Sequence, residues 1–199
     1  METLKTILND ILIIIYHNVF GAVAFAILAM CVKLFATEYG IKKLVSNWVN
    51  SFLHDRKFVI QFIFFIYVFI VFSETVIGRS IWNYPLENVI GTWTMHIDGE
   101  INNDLFENLF MLMPYIALMF AAFPQVLEHK SKGKSRGFIN ITSKSFLFSF
   151  CTSLSIEMIQ LIFKLGTFQL SDPFFNTVGG AIGGFIYFII IKIRKAKTS

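Results

Sequence analysis

"SFLFSFCTSLSIEMIQLIF", residues 145–163, decides how the chain is read. About 20 mostly apolar residues cross the ~30 Å hydrocarbon layer of a bilayer, and this run comes close to that length. Yet it carries Glu157 and Gln160 one helical turn apart. Ser145, Ser149, Ser153, Glu157, Gln160 and Lys164 recur at steps of four, four, four, three and four. That period places them on one face of a helix and leaves Phe, Leu and Ile on the other. A charge at the bilayer centre costs about 2.5–3.5 kcal/mol on insertion scales, so such residues face the bundle interior or water. The stripe therefore predicts a spanning helix with Glu157 turned inward, against other helices.

The composition extends this reading to the whole chain. Of 199 residues, 55% are hydrophobic, 24 are Phe and only 15% are charged, against roughly 25% charged in a soluble domain. The fold class expected is all-α, a polytopic transmembrane helical bundle. Five segments approach spanning length: 11–32, 58–77, 105–123, 145–163 and 174–193. His17 and Asn18 interrupt the first, and Pro114 lies within the third, where a membrane helix tolerates a kink.

The loops between these spans alternate in charge. Lys33, Lys42, Lys43, Arg56 and Lys57 border the first, and Lys130, Lys132, Lys134, Arg136 and Lys144 the third. The tail holds Lys192, Arg194, Lys195 and Lys197. Loop two has Arg79 as its one cation, beside Glu87, Asp98, Glu100 and Asp104, and loop four has Lys164 and Asp172. Five spans satisfy the positive-inside rule, with the N-terminus outside and the C-terminus cytoplasmic; four spans would break the alternation. The chain divides into an N-terminal span with a basic loop (1–57), a main transmembrane domain (58–194) and a basic tail (195–199). "SKGKSRG", residues 131–137, reads as a cytoplasmic turn. The first apolar run exceeds the length of a signal-peptide core, and no small-residue cleavage site follows it. The tail reads as a solvated inner-leaflet flank rather than a nucleic-acid site.

Metal and cofactor chemistry find no support. His17, His54, His96 and His129 are scattered, without metal-ligand spacing. Cys31 and Cys151 lie in apolar segments and read as buried structural thiols.

Polar residues collect instead at the outer ends of the spans. Arg79, Trp82 and Asn83 follow the second span, Glu107 and Asn108 begin the third, and Asp172 and Asn176 lead into the fifth. Glu157 lies at the same depth. The candidate ligand-binding set is Glu157, Gln160, Arg79, Asn83, Asn108, Asp172 and Asn176. Arg79 is the expected ion partner of Glu157, and Gln160, Asn108 and Asn176 supply neutral hydrogen bonds. Asp172 either caps the fifth helix, with Pro173 in its first turn, or joins the site directly. In "NTVGGAIGG", residues 176–184, Gly179 pairs with Gly183 and Gly180 with Gly184 at GxxxG spacing. Such glycines let helices approach closely, either as plain packing or to hold Asn176 against the polar stripe. "RSIWNYPLENVIGTW", residues 79–93, reads either as an interfacial aromatic belt or as a segment folded back over the bundle.

These motifs carry a resemblance. "RSIWNYPL" after one helix, "ENLFMLMPY" in the next and "SLSIEMIQLIFKLGTFQLSDPFFNTVGGAIGG" resemble the VanZ-like family of bacterial membrane proteins over residues 60 to 190. The matching positions are Arg79, Asn108, Pro114, Glu157, Gln160, Asp172, Asn176, Gly179, Gly180 and Gly183. The sequence departs from the family at Gly166, where an Arg is usual. It departs also at Gln169 and Ser171, usually acidic, and at Ile116, usually Gly. The resemblance implies a multi-pass cell-envelope protein and low-level resistance to the glycopeptide teicoplanin; it supplies no reaction.

Three functional readings stay open. One is a protein that binds a polar group of a membrane lipid, cell-wall precursor or glycopeptide in an outward-facing intramembrane cleft. Another is an intramembrane enzyme using Glu157 or Asp172 as acid or base on a lipid-linked substrate, although no nucleophile–His pair or phosphate-cradling loop accompanies them. The third is a structural polar network without ligand. No oligomeric state follows from the pattern.

Overall fold

Helices dominate the computed structural model, which describes residues 2–35, 41–94, 96–97, 100–101, 103–127 and 137–198. They are α1 (Glu2–Phe35), α2 (Ile41–His54), α3 (Arg56–Phe72), α4 (Asn103–Ala122), α5 (Phe138–Phe163) and α6 (Ser171–Thr198). Among the described residues, five stretches are long and apolar enough to cross a membrane: Leu8–Phe35, Arg56–Ile77, Asn103–Ala122, Phe138–Phe163 and Ser171–Lys197. Each expected span falls on one of them. The chain is an all-α membrane protein. Asp98 and the loop-three residues 130–136 lie outside the described residues.

The spans end differently from their hydropathy. α5 begins at Phe138, because Ile141 continues the buried face that Ser145 and Ser149 define. α1 extends over 34 residues, ~51 Å at the helical rise of 1.5 Å per residue, well beyond the ~30 Å hydrocarbon layer. α3 is capped by Asp55, whose side chain accepts from the Lys57 N–H at 2.8 Å. At its other end the chain widens into a π-helical turn, Ser73–Ile77. Loop two carries one feature that its sequence did not announce, a two-residue ladder pairing His96–Ile97 with Glu100–Ile101.

The chain forms two compact units, Met1–Glu74 and Thr75–Ser199. In the first, α1 packs on α3. Ala22, Ala26 and Met30 recur every four residues on α1 and are fully buried, and the ring of Phe69 lies against Gly21. Polar groups on these apolar helices pair within the unit: Lys33 donates to Gln61, and Asn18 donates to Glu74 at 2.8 Å. Ser73 donates in turn to the side-chain oxygen of Asn18. These bonds meet the general need of intramembrane polar groups for partners.

α2 corrects the reading of residues 33–57 as a plain basic loop. Its apolar residues fall at Leu44, Val45, Trp48, Val49, Phe52 and Leu53, the spacing of an amphipathic helix. Trp48 stacks on Phe52 and meets Phe58 and Phe62 edge-on, so one flank of α2 lies on α3. Val45, Val49 and Leu53 remain exposed along the other flank.

The second unit holds α4, α5 and α6, with α6 against both of the others. Gly179 and Gly183 face the backbone of α4: a Cβ at either would overlap the carbonyl oxygen of Leu109 or Met113. Gly180 and Gly184 face α5, where a Cβ would overlap Ser149 or Ser145. The two GxxxG pairs therefore serve two different neighbours within one chain. Below them Tyr187 packs on Phe120, with ring centroids 5.6 Å apart. Cys151 is exposed and Cys31 half-buried, not the core thiols their apolar surroundings suggested; both are free. The exposed side of α5, with Phe146, Leu147, Leu154 and Ile162, is the face suited to lipid.

Candidate functional site

The stripe on α5 is the buried face of the helix. Ser145, Ser149, Ser153, Glu157 and Gln160 are its buried polar residues, and Glu157 is 3% exposed. Lys164, the last member expected, leaves the helix: it ends α5 in the left-handed conformation, φ 56°, and is exposed.

α5 and α6 run antiparallel, and their polar residues meet in rungs. Ser145 faces Gly184 and Ser149 faces Gly180. Four residues on, Asn176 Nδ2 donates to Ser153 Oγ at 2.9 Å. Four residues further, Glu157 and Asp172 come near enough for their charges to act on one another. Each step moves four residues forward on α5 and four back on α6, so the register is constant. Hydroxyls close the lower rungs internally: Ser145 donates to the Ile141 carbonyl at 2.7 Å and Ser149 to that of Ser145. Where α5 gives Ser, α6 gives Gly; where α6 gives Asn, α5 again gives Ser. Polarity rises toward one end.

The upper rung is where the remaining predicted residues converge. Asp172 lies in the first turn of α6, which starts at Ser171, and so does not stand ahead of the helix as its cap. A carboxylate in a first turn still meets the positive end of the helix dipole. It accepts from the Ser171 hydroxyl at 3.2 Å and from the side chain of Asn108 on α4. Glu157 accepts from the Gln169 backbone N–H at 3.4 Å. Arg79 acts on both carboxylates through space, not through a hydrogen bond, and Asp104 adds a further negative field at Asp172. Gln160 turns the other way. Its amide donates to the Thr75 carbonyl at 2.8 Å. Asn83 is exposed, and no hydrogen bond among the described residues joins it to Glu157.

Asn176 is 2% exposed, and its Oδ1 has no hydrogen-bond partner. A buried acceptor left without a donor costs about 1–3 kcal/mol. Of the neutral partners, Ser153 stood on the polar stripe but outside the expected binding set, whereas the Thr75 carbonyl and the Gln169 N–H are backbone groups, which have no sequence signature.

The segment after α3 does fold back. Trp82 N–H donates to the Lys164 carbonyl at 2.7 Å, Phe168 N–H to that of Pro85 and Leu170 N–H to that of Val89, both at 2.8 Å. Ile81 bridges Leu165 in antiparallel fashion. Residues 79–93 thus pair with the α5–α6 loop, and Trp93 packs on Phe174 and Phe175. Trp82 and Tyr84 stay exposed, as belt residues would.

Three positions at which the sequence departs from the pattern it resembles have distinct local settings. Gly166 has φ +87°, which an L side chain rarely adopts. A Cβ there would also stand 3.5 Å from the Arg79 guanidinium, so an arginine at 166 would meet strain and a like charge. Ser171 packs on Gly91, φ +75°, where a Cβ would overlap its hydroxyl. Ile116 is fully buried and lies against Gly180.

A protein-family model described as VanZ/LLP1 matches residues 20–191, reaching past the motif-bearing region into α1. No curated protein and no solved structure matches the chain.

Proposed function

Because this chain belongs to the VanZ/LLP1 family, we propose that it binds the polar part of a lipid, cell-wall precursor or lipophilic glycopeptide in an intramembrane cleft open to the outer face. The cell membrane is its site of action, with the N-terminus outside. Low-level protection against teicoplanin is the expected phenotype. One observation supports a binding role above all: the convergence of Glu157, Asp172, Asn108 and the field of Arg79 at one end of a buried ladder. Two carboxylates placed against each other in a span lower stability, and a polar group from outside would compensate both. Intramembrane ionisable residues of this kind are functional candidates by default.

The Gln160–Thr75 and Asn176–Ser153 bonds favour the structural reading for the rest of the network. Interhelical hydrogen bonds in membranes average about 0.6 kcal/mol, with a maximum near 1.7. The two readings separate in one experiment. Glu157→Gln keeps the shape and the hydrogen-bonding capacity of the side chain. In cells producing the variant, we expect normal abundance in the membrane and loss of teicoplanin protection. Degradation of the variant would favour structure over binding. Turnover of a lipid-linked substrate by purified protein, lost in the variant, would favour an enzyme.

A further inference from the structure

We infer that the Glu157–Asp172 rung, with the unpaired Asn176 carbonyl oxygen one turn below it, receives a primary ammonium group. The inference rests on the binding role proposed above and specifies its ligand.

The argument is a census of what the site lacks. Glu157, Asp172 and Asp104 act on one another in sequence, against the single guanidinium of Arg79. Neither Glu157 nor Asp172 takes a hydrogen bond from that guanidinium. The bond Glu157 does receive, from Gln169 N–H at 3.4 Å, is long beside charge-assisted bonds of about 2.7–2.9 Å. Asn176 adds a buried oxygen with no donor at all. Every deficit has the same sign: the cluster wants positive charge and N–H or O–H donors, and has acceptors to spare.

Ligand classes sort themselves against that need. A phosphate or carboxylate would bring more acceptors into an excess of acceptors. A metal ion needs a set of ligands, and among the described residues no group of three His, Cys, Asp or Glu side chains is placed to hold one. A trimethylammonium group carries the charge without an N–H. A primary ammonium is compact and carries three donors on a positive centre, enough for one each to Glu157, Asp172 and the Asn176 oxygen. Such a group is found on aminolipid headgroups and on the free amines of water-soluble peptides.

Native mass spectrometry of the full-length protein with equal amounts of phosphatidylethanolamine, phosphatidylcholine and phosphatidylglycerol of matched chains tests this. The first two differ in whether the ammonium has N–H donors. We expect phosphatidylethanolamine to be retained at least tenfold over phosphatidylcholine, and Glu157→Gln and Asp172→Asn each to bring the ratio near one. A second arm adds tri-alanine or N-acetyl-tri-alanine. Displacement of the lipid by the free amine alone assigns a water-borne amine; no displacement assigns the lipid. Equal retention of the ethanolamine and choline lipids, with no difference between the two peptides, overturns the inference, as does preference for phosphatidylglycerol. Thermal unfolding of each variant shows that a lost ratio is not a lost fold. If Glu157→Gln removes teicoplanin protection at normal abundance while no ammonium preference exists, the ligand class fails and the binding role stands.

Discussion

At the scale of the residue, two side chains that look alike in the sequence have different work. Gln160 and Asn176 are both buried amides in apolar helices, yet Gln160 satisfies a backbone carbonyl while Asn176 is left half-satisfied. Gln160→Leu should therefore destabilise the protein by about 1–3 kcal/mol, because the Thr75 carbonyl loses its donor in a dry setting. Asn176→Ala should cost under about 1 kcal/mol: it loses one interhelical bond but also removes an orphaned acceptor. Thermal denaturation of the purified variants in one detergent ranks the two. The carboxylates and amides were legible as single letters, since each stands out against hydrocarbon. Their pairing was not. Arg79 read as a direct ion partner, whereas it acts on Glu157 through space.

At the scale of the element, the glycines of α6 separate by what they face. Gly184 meets the side chain of Ser145 and Gly183 meets the backbone carbonyl of Met113. Gly184→Ala should destabilise by about 1–3 kcal/mol, the usual range for overpacking, and Ser145→Gly should recover much of it. Gly183→Ala should be as harmful and gain nothing from any side-chain change on α4, because a carbonyl cannot be deleted. Unfolding of the double and single variants measures the difference. Spacing alone showed that these residues pack, but it could not assign neighbours to the two pairs. The α2 helix was hidden for another reason. Lys42 and Lys43 made its stretch look like a loop, and its 14 residues are too few to span. The exposed Val45, Val49 and Leu53 beside that basic face suit a helix lying in the membrane interface. A peptide of residues 41–54 should become helical on vesicles with anionic lipid. Replacing both lysines with Gln should weaken its binding by about 2 kcal/mol, at ~1 kcal/mol per charge, as circular dichroism titration would record.

At the scale of the whole molecule, the loop lysines predict an orientation that two engineered cysteines can read. Asn88 is exposed in the segment after α3, and Lys197 is exposed near the end of α6. With Cys31 and Cys151 changed to Ser, Asn88→Cys should react with a membrane-impermeant thiol reagent on intact cells. Lys197→Cys should react only after lysis, and the reverse pattern would invert the topology. The spans themselves were plain from hydropathy, which integrates over 20 residues and forgives local errors. The ends of the helices were not, since Phe138–Lys144 and Ser171–Pro173 are set by tertiary partners.

The Ser–Gly rungs have one more consequence. A water molecule needs about 30 Å³ of its own, but at Gly180 and Gly184 even a methyl group would collide with serine across the seam. The polar ladder is thus closed at its hydroxyl end, and a cleft of the kind proposed would open only at its carboxylate end. We expect no conducting path through it: liposomes bearing the protein should hold a proton gradient as long as empty ones.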